Sequence, residues 1–99
     1  MAELKEEEIK KIATSRNHVL ELNWPIQIGN MEPINSLNLT RLNMKQMKLI
    51  DKVDTELEKA TKMIELSAGI SGMEVDSLDV TDFTKAAEIC QVFTDASHL

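Results

Sequence analysis

The sequence has few of the residue types from which most catalytic and metal sites are built. Cys90 is its single cysteine, which excludes an internal disulfide and the cysteine sets of structural zinc sites. The two histidines, His18 and His98, lie far apart along the chain. A nucleophile with an adjacent base, or a cluster of metal ligands, is therefore not expected. The sequence predicts a protein that is not an enzyme and has no catalytic, cofactor-binding or metal-ligating residues.

Glycine, long apolar runs and positive charge are also scarce. The three glycines, Gly29, Gly69 and Gly72, match neither nucleotide-binding fingerprint. No apolar run approaches the roughly 20 residues that a bilayer span needs, so no membrane partner is expected. Eleven Lys and Arg residues against seventeen Asp and Glu give a net charge of −6, which repels nucleic acid. Because no secretory leader is recognisable, we expect a cytoplasmic protein.

Apolar and polar residues alternate in the first half of the chain, at the period of two that is typical of strands. The alternating apolar residues are Leu20, Leu22, Ile26 and Ile28, followed by Leu37 and Leu39. Pro25 offers no N–H to a strand ladder, which predicts a bulge or a sheet edge. Gly29 tolerates positive φ, so a turn over residues 29–32 is expected. The pattern predicts an antiparallel β-hairpin over residues 19–41.

Helical spacing of apolar residues follows the hairpin. Asn43 can cap a helix, and the apolar stripe continues to Gly69, where a left-handed residue suits a helix end. Whether residues 43–69 form one helix or two stays open, because Thr55 can cap a second segment. The stripe contains Met47, Ile50, Val53, Leu57, Ala60, Ile64 and Ala68.

A last helix over residues 80–95 is predicted after a short acidic connection. Asp79 or Thr81 can cap it, and Asp82 is favourably placed in its first turn. Its apolar stripe consists of Phe83, Ala86, Ala87, Cys90 and Phe93.

The predicted fold class is α+β, with an N-terminal antiparallel β-hairpin followed by two or three packed α-helices. Residues 18–99 are expected to form a single domain. Residues 1–17 are rich in Glu and Lys and poor in large apolar side chains. They predict a flexible or loosely helical acidic arm.

Three large apolar side chains are candidates for contact with a partner. Methionine is flexible and fills core gaps, but it also suits surfaces that accept varied partners. Met47 and Met63 share the stripes of core residues and are expected inside. Trp24, Met44 and Met73 are expected at an interface, because tryptophan and methionine are enriched there.

The segment Asp76-Ser77-Leu78-Asp79 resembles the acyl carrier protein site, in which a serine that opens a helix carries phosphopantetheine. Small size and acidity fit that family. A carrier needs about forty residues after this serine, whereas twenty-two follow Ser77, and carriers have no leading hairpin. Despite these two departures, the resemblance keeps an acyl or peptidyl carrier with phosphopantetheine on Ser77 as an alternative to a binding protein.

The order of short motifs along residues 19–93 carries a second resemblance. The motifs are the Leu-Asn-Trp-Pro-Ile sequence at residues 22–26, the turn at Gly29, the strand at 34–41, the Ile-Glu-Leu-Ser-Ala-Gly-Ile sequence at 64–70, and Asp82-Phe83 at a helix start. This order resembles the small tail assembly chaperones of Mu-like contractile-tailed phages and prophages.

The resemblance implies a protein without a catalytic site that binds the tape measure protein during tail assembly. Such a chaperone would work in the cytoplasm of the host bacterium and would be absent from the mature virion. Self-association is a related expectation, since several copies could coat one extended client. The remaining alternative is a small protein whose helices only dimerise.

Overall fold

The computed structural model describes residues 4–95, and His98 lies outside that range. Within it, a two-stranded sheet and five helices follow one another along the chain. The elements are α1 (Glu6–Ala13), β1 (Asn17–Ile26), β2 (Ile34–Thr40), α2 (Met44–Asp51), α3 (Glu56–Ala68), α4 (Gly72–Asp76) and α5 (Val80–Thr94). The α+β class and the antiparallel hairpin followed by packed helices are confirmed.

The two strands pair with a wide bulge in β1. Their register runs from Asn17 opposite Thr40 to Glu21 opposite Ser36, and resumes at Ile26 opposite Ile34. Residues 22–25 of β1 therefore face a single residue of β2, Asn35. Pro25 lies in this bulge, as its missing N–H predicts.

One face of the hairpin packs on α3 and α5 to form the core. The alternation of Leu20 and Leu22 in β1 and of Leu37 and Leu39 in β2 places these four side chains inside, as predicted. Helices α3 and α5 cover them with Ile64, Ile89, Cys90, Phe93 and other buried residues. A two-stranded sheet is marginal by itself, so these helices stabilise the hairpin by burying its apolar face.

Local capping chemistry sets the helix boundaries. Asn43 accepts a hydrogen bond from the N–H of Gln46 at 3.0 Å, and the Gln46 side chain accepts one from the Asn43 N–H at 2.9 Å. Thr55 caps α3, so the open question about residues 43–69 resolves into two helices. Gly69 ends α3 with φ +67°, a conformation that suits glycine.

A flexible or loosely helical arm was expected over residues 1–17. Of these, the structure describes residues 4–17, and they pack against the rest of the fold. Helix α1 packs against α5 and buries Ile12 and Ala13 completely or nearly so. Eight residues are too few for a stable isolated helix, which is why the sequence predicted a loose segment. Contacts with the rest of the fold supply the missing stability.

Arg41, at the end of β2, is one source of that stability. Its guanidinium donates hydrogen bonds to the carbonyl oxygens of Ala13, the last residue of α1, at 2.9 Å and of Ser15, just beyond the helix, at 3.2 Å. It also donates to the Phe93 carbonyl oxygen at 3.1 Å, near the end of α5, and lies 5.4 Å from the Phe93 ring centroid. A cation at helix C-termini satisfies carbonyls that have no partner within the helix, and so Arg41 ties α1 to α5.

The expected acidic connection after Gly69 contains a further helix, α4. Ser71 and Glu74 form a capping box around its first turn. Val75 and Leu78 are buried in the core, which fixes this short helix against α3. The prediction of an acidic connection over residues 72–79 is therefore wrong for Gly72–Asp76, because Ser71 and Glu74 have the spacing of a capping box that starts a helix.

Candidate binding site around Trp24

The β1 bulge is held by a carboxylate from the opposite end of the sequence. The backbone N–H of Asn23 donates to Asp82 Oδ1 at 3.1 Å, and the N–H of Trp24 donates to Asp82 Oδ2 at 3.0 Å. Both donors lie where the β1–β2 ladder is interrupted. Successive N–H groups of a regular strand point to opposite edges, so β2 could accept from only one of these two donors. In the bulge both N–H groups reach the same carboxylate, which satisfies them together.

Helix α5 positions this carboxylate. Asp79 caps the helix by accepting a hydrogen bond from the Thr81 N–H at 3.0 Å, and hydrogen bonding with Thr81 lowers the pKa of Asp79. Asp82 follows in the first turn, where the positive end of the helix dipole favours a negative charge. Only 2% of Asp82 is exposed, so its two hydrogen bonds form away from bulk water.

Trp24 itself is 64% exposed, although its backbone N–H is bound to the buried carboxylate. The backbone N–H groups of Trp24 and its neighbour Asn23 are both held by the Asp82 carboxylate. A large amphipathic ring on a fixed backbone loses little conformational freedom when it is buried by a partner. Such residues are frequent anchors of protein interfaces.

Met44 and Met73 are exposed as well, but they lie on other elements. Met44, at the start of α2, is 69% exposed and lines an open groove of about 500 Å³ with Met47, Lys48, Asp51 and Lys52. Met73 lies on α4 and is 67% exposed. Neither Trp24 nor Met73 lines the α2 groove. The three side chains are thus presented by three separate elements.

Sequence reasoning missed several other exposed apolar side chains. Leu57 belongs to the predicted core stripe, yet 69% of it is exposed in the first turn of α3. Within residues 4–95, the remaining large apolar side chains that are exposed are Val19, Met31, Leu49 and Val80. Periodicity could not separate Leu57 from the core because the residue fits the helical spacing; its exposure depends on how α3 meets its neighbours.

Cys90 and Ser67 lie in the packed interior where α3 meets α5. Burial raises the pKa of the Cys90 thiol to about 11, partly offset by a hydrogen bond with Ser67. The Ser67 hydroxyl donates to the Thr40 carbonyl oxygen at 2.7 Å. Burial and the nearby Lys11 charge lower the pKa of His18. Among residues 4–95, no group of three or more His, Cys, Asp or Glu side chains is arranged to hold a metal ion.

Ser77, the residue of the carrier alternative, lies at the end of a helix and not at its start. It follows α4, and its hydroxyl donates to the Met73 carbonyl oxygen at 2.9 Å. The next helix begins at Val80, with Asp79 as its cap. A carrier serine opens a helix, so this position and the preceding hairpin argue against the carrier alternative.

Comparison with known proteins found no family model, curated protein or solved structure that matches this chain. Between residues 4 and 95, no helix combines the length and the apolar character that a membrane crossing requires.

Proposed function

We propose that this chain is a non-catalytic tail assembly chaperone that binds the tape measure protein of a phage or prophage. It acts in the cytoplasm of the host bacterium and leaves before the virion is complete. The order of motifs along residues 19–93 suggests the family. The observation that carries the binding role is the exposed Trp24 on a bulge that Asp82 holds in place.

The surface suits a client that is long, helical and apolar. Trp24 provides an anchor, and Met73 offers a second, adaptable apolar contact on α4. A net charge of −6 keeps the chaperone and its client complexes dispersed. A few exposed apolar anchors give moderate affinity, which lets the client dissociate when tail tube subunits assemble around it.

Co-expression with a candidate tape measure protein tests this proposal. The client is expected to become soluble and to co-elute with the wild-type chain. Trp24→Ala is expected to reduce the recovered client at least about tenfold, since it removes the central anchor. Met31→Ala, at an exposed methionine in the hairpin turn, is the matched control and is expected to change little.

Two results would overturn the proposal. The first is a client that stays insoluble beside a folded wild-type chain. The second is an intact mass that shows phosphopantetheine on Ser77, which would make the chain a carrier protein. Full binding by Trp24→Ala would refute Trp24 as the anchor and leave the chaperone role standing.

A further inference from the structure

Helix α2 lies at the periphery of the fold and keeps an apolar groove open. It packs against α3, with Ile50 buried at that contact. Another face of α2 presents the groove, in which Met44 and Met47 provide the apolar surface. The proposed client anchor, Trp24, does not line this groove, and the function proposed above makes no use of it.

The charge around this groove is opposite in sign to that of the whole protein. Lys48 and Lys52 line it together with Asp51, and Lys45 lies on the same helix. A surface that fits the groove should therefore carry an exposed apolar side chain between carboxylates.

Leu57 of this same chain has those properties. It lies between Glu56 and Glu58 in the first turn of α3, and 69% of the leucine is exposed. Thr55 caps this turn, with its hydroxyl oxygen accepting the Glu58 N–H at 3.1 Å, so the three side chains are presented by ordered backbone. The chain thus has an apolar groove flanked by lysines on α2 and an exposed leucine flanked by glutamates on α3.

We propose that two copies of this chain associate through α2 and α3, with Leu57 of each copy inserted into the α2 groove of the other. Glu56 and Glu58 then face Lys48 and Lys52 of the second copy. A two-fold axis between the copies makes the two groove–leucine contacts equivalent. Such an interface is closed and self-complementary, and every contact occurs twice.

Sedimentation velocity of the full chain, at concentrations up to about 0.1 mM, tests the proposal in the absence of any client. The wild-type chain is expected to sediment as a dimer, at twice its 11.2 kDa mass. Leu57→Glu and Met44→Glu, both at exposed side chains, are each expected to raise the dissociation constant at least about tenfold, because they place a carboxylate in the apolar contact. Met31→Glu, at the hairpin turn, is the control and is expected to leave the dimer intact.

Charge reversal distinguishes a direct contact from a folding defect. The double variant Lys48→Glu, Lys52→Glu is expected to be monomeric, and adding Glu56→Lys and Glu58→Lys is expected to restore the dimer. Circular dichroism confirms folding of each variant. A wild-type chain that stays monomeric throughout, a dimer that survives Leu57→Glu, or a failed restoration in folded protein would overturn the proposal. Loss of client binding in a chain that still dimerises would count against the chaperone role alone.

Discussion

Asp82 links the two ends of the sequence through the backbone of Asn23 and Trp24. A buried carboxylate that accepts two N–H groups stabilises a backbone segment that a regular strand ladder would otherwise hold. Removing it leaves two backbone donors without their partner in a part-buried site, and an unsatisfied donor costs about 1–3 kcal/mol when it is buried. Loss of this carboxylate should therefore lower the free energy of unfolding and loosen the backbone that carries Trp24.

Asp82→Ala is expected to lower the free energy of unfolding by about 3 kcal/mol, and Asp82→Asn by about 2 kcal/mol. The asparagine keeps one acceptor oxygen but points its NH₂ group at the second donor. Urea titration measures both changes. Asp76→Asn, on the exposed last residue of α4, is the control and should stay within about 0.5 kcal/mol of the wild type. An Asp82→Asn protein as stable as the wild type would contradict this account of the bulge.

Cys90 is expected to be chemically inert in the folded protein. Burial raises the pKa of its thiol to about 11, so the reactive thiolate is scarce at neutral pH and reagent access is blocked. Alkylation by iodoacetamide should be at least about a hundredfold slower in buffer than in denaturant. Intact mass spectrometry over time measures the two rates. Rapid labelling of folded protein would contradict the packing of α5 against Ser67.

Arg41 contributes to the stability of helix α1, whose eight residues are too few to be stable in isolation. The guanidinium satisfies carbonyl oxygens of Ala13 and Ser15 as well as that of Phe93. Lysine has one ammonium group in place of the planar fork and cannot reproduce all three bonds. Arg41 thus joins two helices through their backbone carbonyl oxygens, as Asp82 joins α5 to β1 through backbone N–H groups.

Arg41→Lys is expected to lower the free energy of unfolding by about 1–2 kcal/mol and to speed amide hydrogen exchange in α1 more than in α3. Hydrogen exchange read by mass spectrometry separates the two helices. Arg16→Lys, at an exposed neighbouring arginine, is the matched control. Equal acceleration in α1 and α3 would show that Arg41 supports the whole fold and not the docking of α1.

The elements differ in how far local sequence could predict them. Asn43, Thr55 and Gly69 act on backbone within a few residues, so the bounds of α2 and α3 follow from capping chemistry. Asp82 also looked like an ordinary first-turn acid, but its partners lie 58 and 59 residues away in sequence. A single sequence contains no signal for such a contact. For the same reason, the exposure of Trp24 was predictable while its anchoring was not.

The whole molecule combines a small core with an exposed tryptophan, Trp24, whose backbone is held by a buried carboxylate. The sequence has a net charge of −6, and the exposed apolar side chains are distributed over several elements. Under our proposals these surfaces have separate roles: Trp24 and Met73 bind the client, and Met44 with Leu57 joins two copies. A dimer would then present two Trp24 anchors to one long client, and linking the two anchors would raise the apparent affinity for that client.

Trp24 itself supplies the most direct measurement of the central claim, that this residue anchors a tape measure client. The chain has one tryptophan and no tyrosine, so its indole emission reports on Trp24 alone. We would titrate the wild-type chain with a tape measure fragment engineered without tryptophan. The account predicts a saturable blue shift as the exposed ring becomes buried. A fragment that co-elutes with the chain while the emission stays at its free position would contradict it.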